Sequence, residues 1–424
     1  MQFTMIYSGN EMKDSSPHIC ILTSGRIFEL AYGGEERFTM LLAEWLLRHG
    51  FRVILMGATF GSVKSKRLSI EEIEKDRAII VQKKNVRVLK LPYLIYLASR
   101  FVLSFFWILK IIFTSYKYPI QLIHSQDSGY SGLAAIIAGK LLRIPVVITS
   151  HGVRHKTLES SIHGRLRKLL LRIEYALDMF TVKNADSVIA VNPSIREYFE
   201  KKSGRKIEFI PICIKTNDYQ YSSVSRTQIR QELGIDTNTI VIGFVGRFSE
   251  EKNLDTLLIS FANALRNFPD LRLLMVGTGA LESGLKDFVE RHGIKENVTF
   301  GGIRYDIPKI LSSLDIFILP SVAEGLSTSL LEAMACSRAI ICSDIQANRS
   351  VIIQSRNGLL VNPHRSEEIQ HAIELLCHDH ELRSNFGRMA EITASDYDEM
   401  IILPKIVETY FRLCKEIKRP GINH

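Results

Sequence analysis

A chain of 424 residues is too long for one ordinary hydrophobic core, so we expect two domains of about 200 residues each. The hydrophobic fraction of 46% excludes a disordered protein. The 6 cysteines form no Cys-x-x-Cys pair and join no histidines at zinc-ligand spacing. Reduced thiols in a cytosolic protein are therefore favoured over disulfides or a zinc site.

The net charge of +9 is concentrated in the first half of the chain. Residues 1–212 contain 31 Lys and Arg residues and 18 Asp and Glu residues, which gives a net charge of +13. The remainder contains 23 Lys and Arg residues and 27 Asp and Glu residues, which gives a net charge of −4. A basic half indicates an anionic partner such as a membrane surface or a phosphorylated substrate, and a solvated surface is the alternative. No aromatic-rich motif accompanies the basic residues at 165–172, so we expect no nucleic acid partner.

The first half of the chain alternates short apolar runs with amphipathic segments. Residues 1–17 contain no secretory signal and are expected to be an extension ahead of the first strand. Phe38, Leu42 and Trp45 repeat at the spacing of one helix face. Such alternation predicts a parallel sheet with helices on both faces. The predicted strands lie at residues 18–23, 52–57, 86–90, 121–124, 145–150, 186–191 and 207–210.

The alternation begins again after the polar stretch 215–238, and a last helix at 399–417 has no strand after it. We therefore expect an α/β protein of two Rossmann-like, doubly wound domains that face each other across a cleft. The first spans 1–214, the second spans 215–398, and the last helix packs back onto the first. Ligands bind such folds at the carboxyl ends of the strands. The second set of predicted strands lies at 239–245, 271–276, 298–300, 315–319, 339–342 and 358–361.

The apolar segment 94–113 is nearly long enough to span a bilayer. It contains Arg100 and Lys110, each of which costs about 2.5–3.5 kcal/mol near a bilayer centre, and it lies where a parallel sheet needs a crossover helix. Ser99, Arg100, Ser104 and Lys110 share a stripe of about 140° on a helical wheel, and the remaining arc is apolar. We expect this arc to meet a membrane surface, which makes the protein cytoplasmic and peripheral on the cytoplasmic membrane face. A buried helix and a spanning helix are the alternatives.

Polar and glycine residues follow several predicted strands. Arg247 and Lys252 follow the strand that ends at 245, and such cations stabilise the charge that develops on a departing diphosphate. Gly277 follows the next strand, where it permits either the close approach of a nucleotide or a tight turn.

Two carboxylates, Glu324 and Glu332, lie on either side of a predicted helix start. Gly325 permits a close backbone approach, and the unpaired N–H groups from Leu326 onward form an anion site. The helical rise between the carboxylates is about 12 Å, which approximates the distance from a ribose diol across a diphosphate to a sugar. One carboxylate is expected to hold the ribose and the other the transferred sugar.

These stretches, at 246–253 and 324–332, together with the segment 300–308, resemble glycosyltransferase family 4. The resemblance covers residues 18–415, is strong in the second half and looser in the first, and implies retaining enzymes of the GT-B fold. The sequence departs from the family after Pro211, where Ile212-Cys213-Ile214 replaces an Asn-Gly-Ile/Val-Asp turn near the hinge.

The resemblance also implies a role for each matched residue. Arg247 and Lys252 match the pair that binds the diphosphate. Glu332 matches the ribose-binding carboxylate, Glu324 the carboxylate that faces the transferred sugar, and His151 the histidine near the reaction centre. The other matched positions are Gly33 and Gly34 in the loop lining the cleft, Gly325, Leu326 and Ser327 in the turn that contacts sugar and phosphate, and Arg304 in the segment lining the base pocket.

The expected function is that of a glycosyltransferase of the hexosyltransferase type (EC 2.4). It would move a sugar from a nucleotide-diphosphate sugar, with UDP favoured because it is common in the family, to a saccharide or lipid-linked acceptor. Asp396-Tyr397-Asp398 resembles a metal-binding motif of another glycosyltransferase fold, but its place before the last helix indicates a structural role, so we expect no metal or other cofactor. The alternatives are a non-catalytic nucleotide-sugar-binding protein, a GT-B-like phosphorylase or epimerase, and a nucleic-acid-binding protein.

Overall fold

The computed structural model describes residues 4–5, 17–26, 33–58, 78–83, 93–153 and 167–414 of the chain. The chain divides into two compact units, the first made of Met1–Pro211 with Leu403–His424 and the second of Ile212–Ile402. Strands alternate with helices in both units, and nearly all neighbouring strands are parallel. The predicted α/β class is therefore confirmed.

The first unit contains one sheet, whose order among the described residues is β1-β4-β3-β2-β5-β6-β7-β8. Its strands are β1 (Thr4–Met5), β2 (His18–Arg26), β3 (Arg52–Ala58), β4 (Ala78–Lys83), β5 (Ile120–Ser125), β6 (Val146–Ser150), β7 (Ser187–Ala190) and β8 (Glu208–Phe209). Its helices are α1 (Gly34–Arg48), α2 (Tyr93–Lys117), α3 (Tyr130–Leu142), α4 (Arg167–Asn184) and α5 (Pro193–Ser203). The chain reverses its winding direction between β2 and β5, as in a doubly wound fold.

Two features of this sheet differ from the sequence prediction. Strand β4 was missed because its apolar run is short and leads directly into Gln82 and Lys83; the strand predicted at 86–90 lies outside the described residues. The prediction that residues 1–17 are only an extension is wrong at Thr4–Met5, which pairs antiparallel with Val81 and Gln82. This short strand covers backbone groups that β4 would otherwise leave open at the sheet edge.

Helix α2 turns part of its polar stripe toward the protein. Ser104 is 2% exposed, and its hydroxyl donates to the backbone oxygen of Tyr130 at 2.9 Å. Trp107 and Ile111 are buried on the same side. The opposite side exposes Phe101, Val102, Phe105, Phe113 and Tyr116. These five residues share an arc of about 120°, so the helix has one continuous apolar face outside. In the part of the chain that the structure describes, no helix is both long and apolar enough to cross a membrane.

All six cysteines are buried and free. Burial raises the pKa of the thiols of Cys20 and Cys342 well above its ordinary value. Both lie on central strands, so these thiols serve as small apolar core residues.

The second unit contains a parallel sheet with the described order β11-β10-β9-β12-β13-β14. Its strands are β9 (Val241–Val245), β10 (Arg272–Val276), β11 (Val298–Gly302), β12 (Ile316–Leu319), β13 (Ala339–Ser343) and β14 (Leu359–Val361). The remaining helices are α6 (Ser223–Glu232), α7 (Leu254–Ala264), α8 (Glu282–Arg291), α9 (Ile307–Ser313), α10 (Thr328–Ala335), α11 (Gln346–Arg349), α12 (Ser366–His378), α13 (His380–Ser395) and α14 (Glu399–Leu413). The winding reverses between β9 and β12, where doubly wound folds bind ligands.

A buried arginine fixes the beginnings of β9 and β12. Arg230 of α6 is 1% exposed, and its guanidinium contacts Asp315, just before β12, at 2.7 Å. The same carboxylate accepts the backbone N–H of Val241, the first residue of β9, at 2.8 Å. Arg230 also donates to the backbone oxygen of Thr239 at 2.7 Å. The two strands that carry the candidate site therefore start from one ion-paired cluster.

We predict that Arg230→Met lowers the free energy of unfolding by about 3–5 kcal/mol, because it leaves several backbone carbonyls without their donor. It also removes one of the two arginines that pair with Asp315, so that only Arg226 remains. Urea unfolding followed by circular dichroism measures the change. The control is Lys295→Met, which breaks the exposed pair between Lys295 and Glu290 and should change stability little. Equal effects of the two substitutions would contradict the anchoring role of Arg230.

Candidate functional site

The loops at the carboxyl ends of β9, β12 and β14 are tied together by hydrogen bonds. The backbone N–H of Val322 donates to the oxygen of Glu251 at 2.9 Å. Asn253 has a left-handed backbone with φ of 54°, and its amide donates to the oxygens of Pro320 at 3.2 Å and Pro363 at 2.6 Å. The loop after β9 therefore holds the loops after β12 and β14 in position.

Two of the predicted site residues form an ion pair across these loops. Nζ of Lys252 lies 2.5 Å from Oε1 of Glu324, and the two side chains are only 15% and 10% exposed. Solvent screens such a pair less than a surface pair. An ammonium group has three N–H donors, so Lys252 can contact Glu324 and an anion at the same time.

Arg247 lies on the loop after β9 and is exposed. Its guanidinium makes no ion pair or side-chain hydrogen bond with any residue that the structure describes. A planar guanidinium with unused donors suits phosphate or carboxylate oxygens.

Glu332 is fully buried in α10, and its Oε1 accepts a hydrogen bond from the hydroxyl of Tyr219 at 2.8 Å. Tyr219 is the last residue of the short 3-10 turn Thr216–Tyr219. The carboxylate that is expected to bind the ribose is therefore hydrogen-bonded to a tyrosine of the protein.

The turn before α10 brings backbone N–H groups to one end of a helix. Ser327 caps α10, and its side chain accepts the N–H of Leu330 at 3.4 Å. Leu326 is buried beside it, and Gly325 precedes it. The cap occupies one of the first N–H groups, and the others are suited to an anion.

Of the two explanations for Gly277, a tight turn and the close approach of a nucleotide, the backbone geometry supports the turn. Gly277 has φ of +136°, and a Cβ added there would lie 1.9 Å from the backbone oxygen of Gly246. Its N–H donates to the oxygen of Gly302 at 2.8 Å. The contact between strand-end loops by itself requires glycine at this position.

Arg304 is engaged by carboxylates of the protein. Its Nε and Nη2 donate to the two oxygens of Asp306, both at 2.8 Å, and Nη1 donates to Glu232 at 2.5 Å. The hydrogen bonds to Asp306 and Glu232 raise the pKa of Arg304 above its usual value. Arg304 therefore links the last residue of α6 to the segment before α9 in this structure.

In the first unit, Gly33 and Gly34 form the start of α1. Gly33 is the residue before the helix, and Gly34 is exposed. The hydroxyl of Thr23 in β2 donates to Glu35 at 2.8 Å, which joins the strand to the first turn of the helix.

His151 follows β6, and its Nε2 lies 3.2 Å from Oε1 of Gln126. The ring of Phe38 packs edge-on against it, with 5.5 Å between ring centroids. Burial lowers the pKa of His151 to about 4, although the nearby Asp127 opposes this shift. The imidazole is therefore neutral near pH 7 and can both donate and accept a hydrogen bond.

Asp398, just before the last helix, binds a residue of the 3-10 turn Thr216–Tyr219. The carboxylate of Asp398 accepts the backbone N–H of Thr216 at 3.1 Å and its hydroxyl at 2.6 Å. Across the described ranges, no three His, Cys, Asp or Glu side chains cluster as metal ligands would.

Comparison with known families gives a consistent result over most of the chain. The family model for Glycosyltransferase Family 4 matches residues 32–218, and the model for Glycosyl transferases group 1 matches residues 225–392. The chain belongs to glycosyltransferase family 4. The predicted family and enzyme class are confirmed.

Relatives of this glycosyltransferase include EpsD of Bacillus subtilis, described as a glycosyltransferase, which is 24% identical over 71% of this chain and 78% of its own length. The UDP-Gal:alpha-D-GlcNAc-diphosphoundecaprenol alpha-1,3-galactosyltransferase of Escherichia coli is 28% identical over 58% of this chain and 62% of its own. Among solved structures, Anabaena HepE in complex with UDP-glucose matches 93% of this chain and 99% of its own, with a TM-score of 0.73 and 22% identity. This structural likeness confirms the GT-B fold class.

The sequence prediction did not identify three polar residues that organise the site of this glycosyltransferase. Asn253 lies within the stretch 246–253 that resembles the family, but no role was assigned to it. Gln126 follows the strand predicted at 121–124, and its position at the end of a strand was the signal that could have found it. Tyr219 lies in the polar stretch 215–238, where no sequence pattern points to Glu332.

We predict that Gly277→Ala destabilises this glycosyltransferase by about 1–3 kcal/mol, because the added methyl group meets a backbone oxygen and the backbone angle is unfavourable for alanine. Differential scanning calorimetry measures the change in Tm. The matched control is Gly284→Ala in α8, where a Cβ would meet no atom within 4 Å. Alanine should stabilise that helix by about 0.5–1 kcal/mol. A Tm of Gly277→Ala at or above that of the unchanged protein would rule out the packing explanation.

Proposed function

We propose that this glycosyltransferase is a retaining enzyme that transfers a sugar from a nucleotide-diphosphate sugar to a saccharide or lipid-linked saccharide acceptor in glycan biosynthesis. The observation that carries the proposal is the Lys252–Glu324 ion pair at the reversal point of the second sheet. The family resemblance supports the retaining stereochemistry. The UDP-glucose bound by HepE supports a UDP-sugar donor, and the lipid-linked substrate of the Escherichia coli relative supports a lipid-linked acceptor.

The departing diphosphate needs cations that are already in place. As the bond between the sugar C1 and the phosphate oxygen breaks, its electron pair remains on the diphosphate. Arg247 and Lys252 neutralise that charge, and Lys252 is held in position by Glu324 before the substrate arrives. A group held in advance stabilises the transition state without a reorganisation cost. Glu324 in turn accepts hydrogen bonds from hydroxyls of the transferred sugar.

The nucleoside end of the donor is assigned to Glu332. Its buried carboxylate accepts hydrogen bonds from the ribose hydroxyls, and Tyr219 keeps it oriented. The backbone N–H groups of Gly325, Leu326 and Ser327 contact the phosphate and sugar at the start of α10. Gly277 brings the neighbouring loop close to the nucleotide, and Arg304 supports the base pocket through Asp306.

The acceptor reacts on the same face from which the diphosphate leaves. The acceptor oxygen forms the new bond to C1, and its proton passes to a phosphate oxygen of the leaving group, so no protein base is required. His151 then binds the transferred sugar as a neutral hydrogen-bonding group. Gly33 and Gly34, which have no side chain, allow a substrate to approach the start of α1.

We predict that Arg247→Ala and Lys252→Ala each lower kcat/KM for UDP-sugar turnover by about 100-fold or more, because each removes a cation that stabilises the leaving group. The rate of UDP release from UDP-sugars measures this without knowledge of the acceptor. Because the proposed site uses no metal, the reactions are run with EDTA.

The control for this prediction is Lys286→Ala, which removes an exposed cation of the same unit that pairs with Glu282. Its turnover and Tm should stay close to those of the unchanged protein. Near-normal kcat/KM in both site variants, or activity restored only by Mg²⁺ or Mn²⁺, contradicts the proposed mechanism.

A lipid-linked acceptor requires access to a membrane, and helix α2 offers a suitable surface. Its outer face exposes Phe105 to 57% and Phe113 to 66%. Lys117 at the end of α2 and Lys168 and Arg172 on α4 are exposed in the same basic half of the chain. Apolar residues bind the acyl boundary and cations bind anionic lipid headgroups. We propose that the first unit docks on the anionic cytoplasmic face of a membrane.

We predict that the double variant Phe105→Ser/Phe113→Ser loses most of its binding to anionic liposomes, because two large apolar side chains no longer enter the bilayer boundary. Flotation with anionic and neutral liposomes at low and high salt measures the binding. High salt should weaken it, since each basic residue near the surface contributes about 1 kcal/mol through screened electrostatics.

The matched control is Ile392→Ser/Met400→Ser, which removes two similarly exposed apolar residues of the second unit. Its flotation should equal that of the unchanged protein. If the unchanged protein remains in the soluble fraction with anionic liposomes at low salt, α2 is not a docking surface.

A further inference from the structure

A chain of hydrogen bonds in the first unit ends at His151. The hydroxyl of Tyr410 in α14 lies 2.5 Å from Nδ1 of His124 in β5. Nε2 of His124 lies 2.8 Å from the hydroxyl of Thr149 and 3.3 Å from Nε2 of Gln126. Oε1 of Gln126 lies 3.2 Å from Nε2 of His151. One side-chain amide therefore bridges two histidines.

Both histidines are neutral near pH 7. Burial lowers the pKa of His124 to about 3, and the neighbouring His151 adds to this shift. Burial likewise lowers the pKa of His151 to about 4, against the influence of Asp127. A neutral imidazole has one N–H donor and one acceptor nitrogen, so its hydrogen-bond partners determine which of the two ring nitrogens carries the proton.

The amide of Gln126 gives each histidine a defined tautomer. Its nitrogen only donates, so Nε2 of His124 accepts and the proton of His124 is on Nδ1, which donates to Tyr410. Its oxygen only accepts, so Nε2 of His151 carries the proton. Nδ1 of His151 then keeps its lone pair.

The amide is held firmly in this position. Gln126 is fully buried, and its backbone N–H donates to the oxygen of Leu22 at 2.8 Å. A buried amide without hydrogen bonds is costly, so the contacts with the two histidines also fix the orientation of the Gln126 side chain. On the other side of His151, the edge-on ring of Phe38 restricts rotation of the imidazole.

We propose that Gln126 is a positioning residue that fixes the proton of His151 on Nε2 and so presents Nδ1 as a hydrogen-bond acceptor to a hydroxyl of the transferred sugar. The inference rests on the proposed function, in which His151 contacts that sugar. A site built to accept a hydroxyl proton discriminates strongly against a sugar that lacks the hydroxyl, because the buried acceptor is then left without a partner.

The tautomer can be observed directly in the unchanged protein. Full-length protein labelled with 15N in histidine gives ring correlations that distinguish protonated from unprotonated nitrogens, and loss of one signal set in His151→Gln assigns His151. We expect Nε2 of His151 to be protonated and Nδ1 to be unprotonated. The reverse pattern means that the amide of Gln126 faces the other way, and it overturns the proposal without the need for a folded variant.

The positioning role is tested with Gln126→Met, which keeps the length of the side chain but removes the amide. We expect the His151 signals to show a mixture of tautomers and kcat/KM for UDP-sugar turnover to fall by about 10- to 100-fold, as for other misplaced contacts. The affinity for UDP should stay unchanged, because the diphosphate site is on the second unit. The control, Thr149→Val, removes a different partner of His124 but leaves the contact between Gln126 and His151, so it should keep the His151 tautomer and turnover.

The failure of this inference differs from the failure of the proposed function. If the unchanged protein neither binds UDP nor releases it from any nucleotide sugar, the proposed function fails and the sugar is not the ligand of His151. If the unchanged protein does both, and Gln126→Met retains the tautomer and kcat/KM, the positioning role alone is overturned.

Discussion

The second unit depends on the pairing of β9 with β12, which are neighbours in the sheet although they are far apart in the sequence. The pairing itself is short, with Ile242 opposite Ile316 and Gly243 opposite Phe317. Contacts outside the strands support it at both ends. The ion pair of Arg230 with Asp315 joins the beginnings, and the ion pair of Lys252 with Glu324 joins the loops at the carboxyl ends. The candidate site is therefore as rigid as this pair of strands, since each strand holds one half of its charges.

Both units carry their candidate site residues at the carboxyl ends of strands, but the side chains differ in chemical character. In each sheet, the candidate site residues follow strands at or beside the reversal of winding: β9 and β12 in the second unit, and β5 and the adjacent β6 in the first. The second unit places the exposed Arg247 and the Lys252–Glu324 ion pair there, which suits the binding of a charged diphosphate. The first unit places a neutral histidine and an amide there, next to the buried Asp127. The histidine and the amide suit the hydroxyls of a sugar.

The sequence was sufficient to predict the α/β class and nearly all central strands, because buried parallel strands are continuous apolar runs bounded by polar loops. It could not predict β1, because an edge strand of two residues carries no periodic signal. It missed β4 because the apolar run at 78–81 is short and ends in Gln82 and Lys83. The sequence pattern predicted that Lys252 and Glu324 lie at strand ends. It could not predict their contact, because the contact depends on the order of the strands in the sheet. Arg304 binds the nearby Asp306 but also Glu232 of α6, and Glu332 binds Tyr219 of a 3-10 turn. No local pattern encodes the two distant contacts.

The burial of every cysteine has a practical consequence for measuring motion in this protein. Thiolates, not thiols, react with alkylating labels, and a buried thiol with a raised pKa is almost never a thiolate. The natural cysteines should therefore stay unlabelled under mild conditions. A pair of cysteines introduced at exposed positions, one on each unit, would then carry spin labels or fluorophores without removal of any native residue. Distances between such probes, with and without a nucleotide, would report whether nucleotide binding changes the separation of the two units.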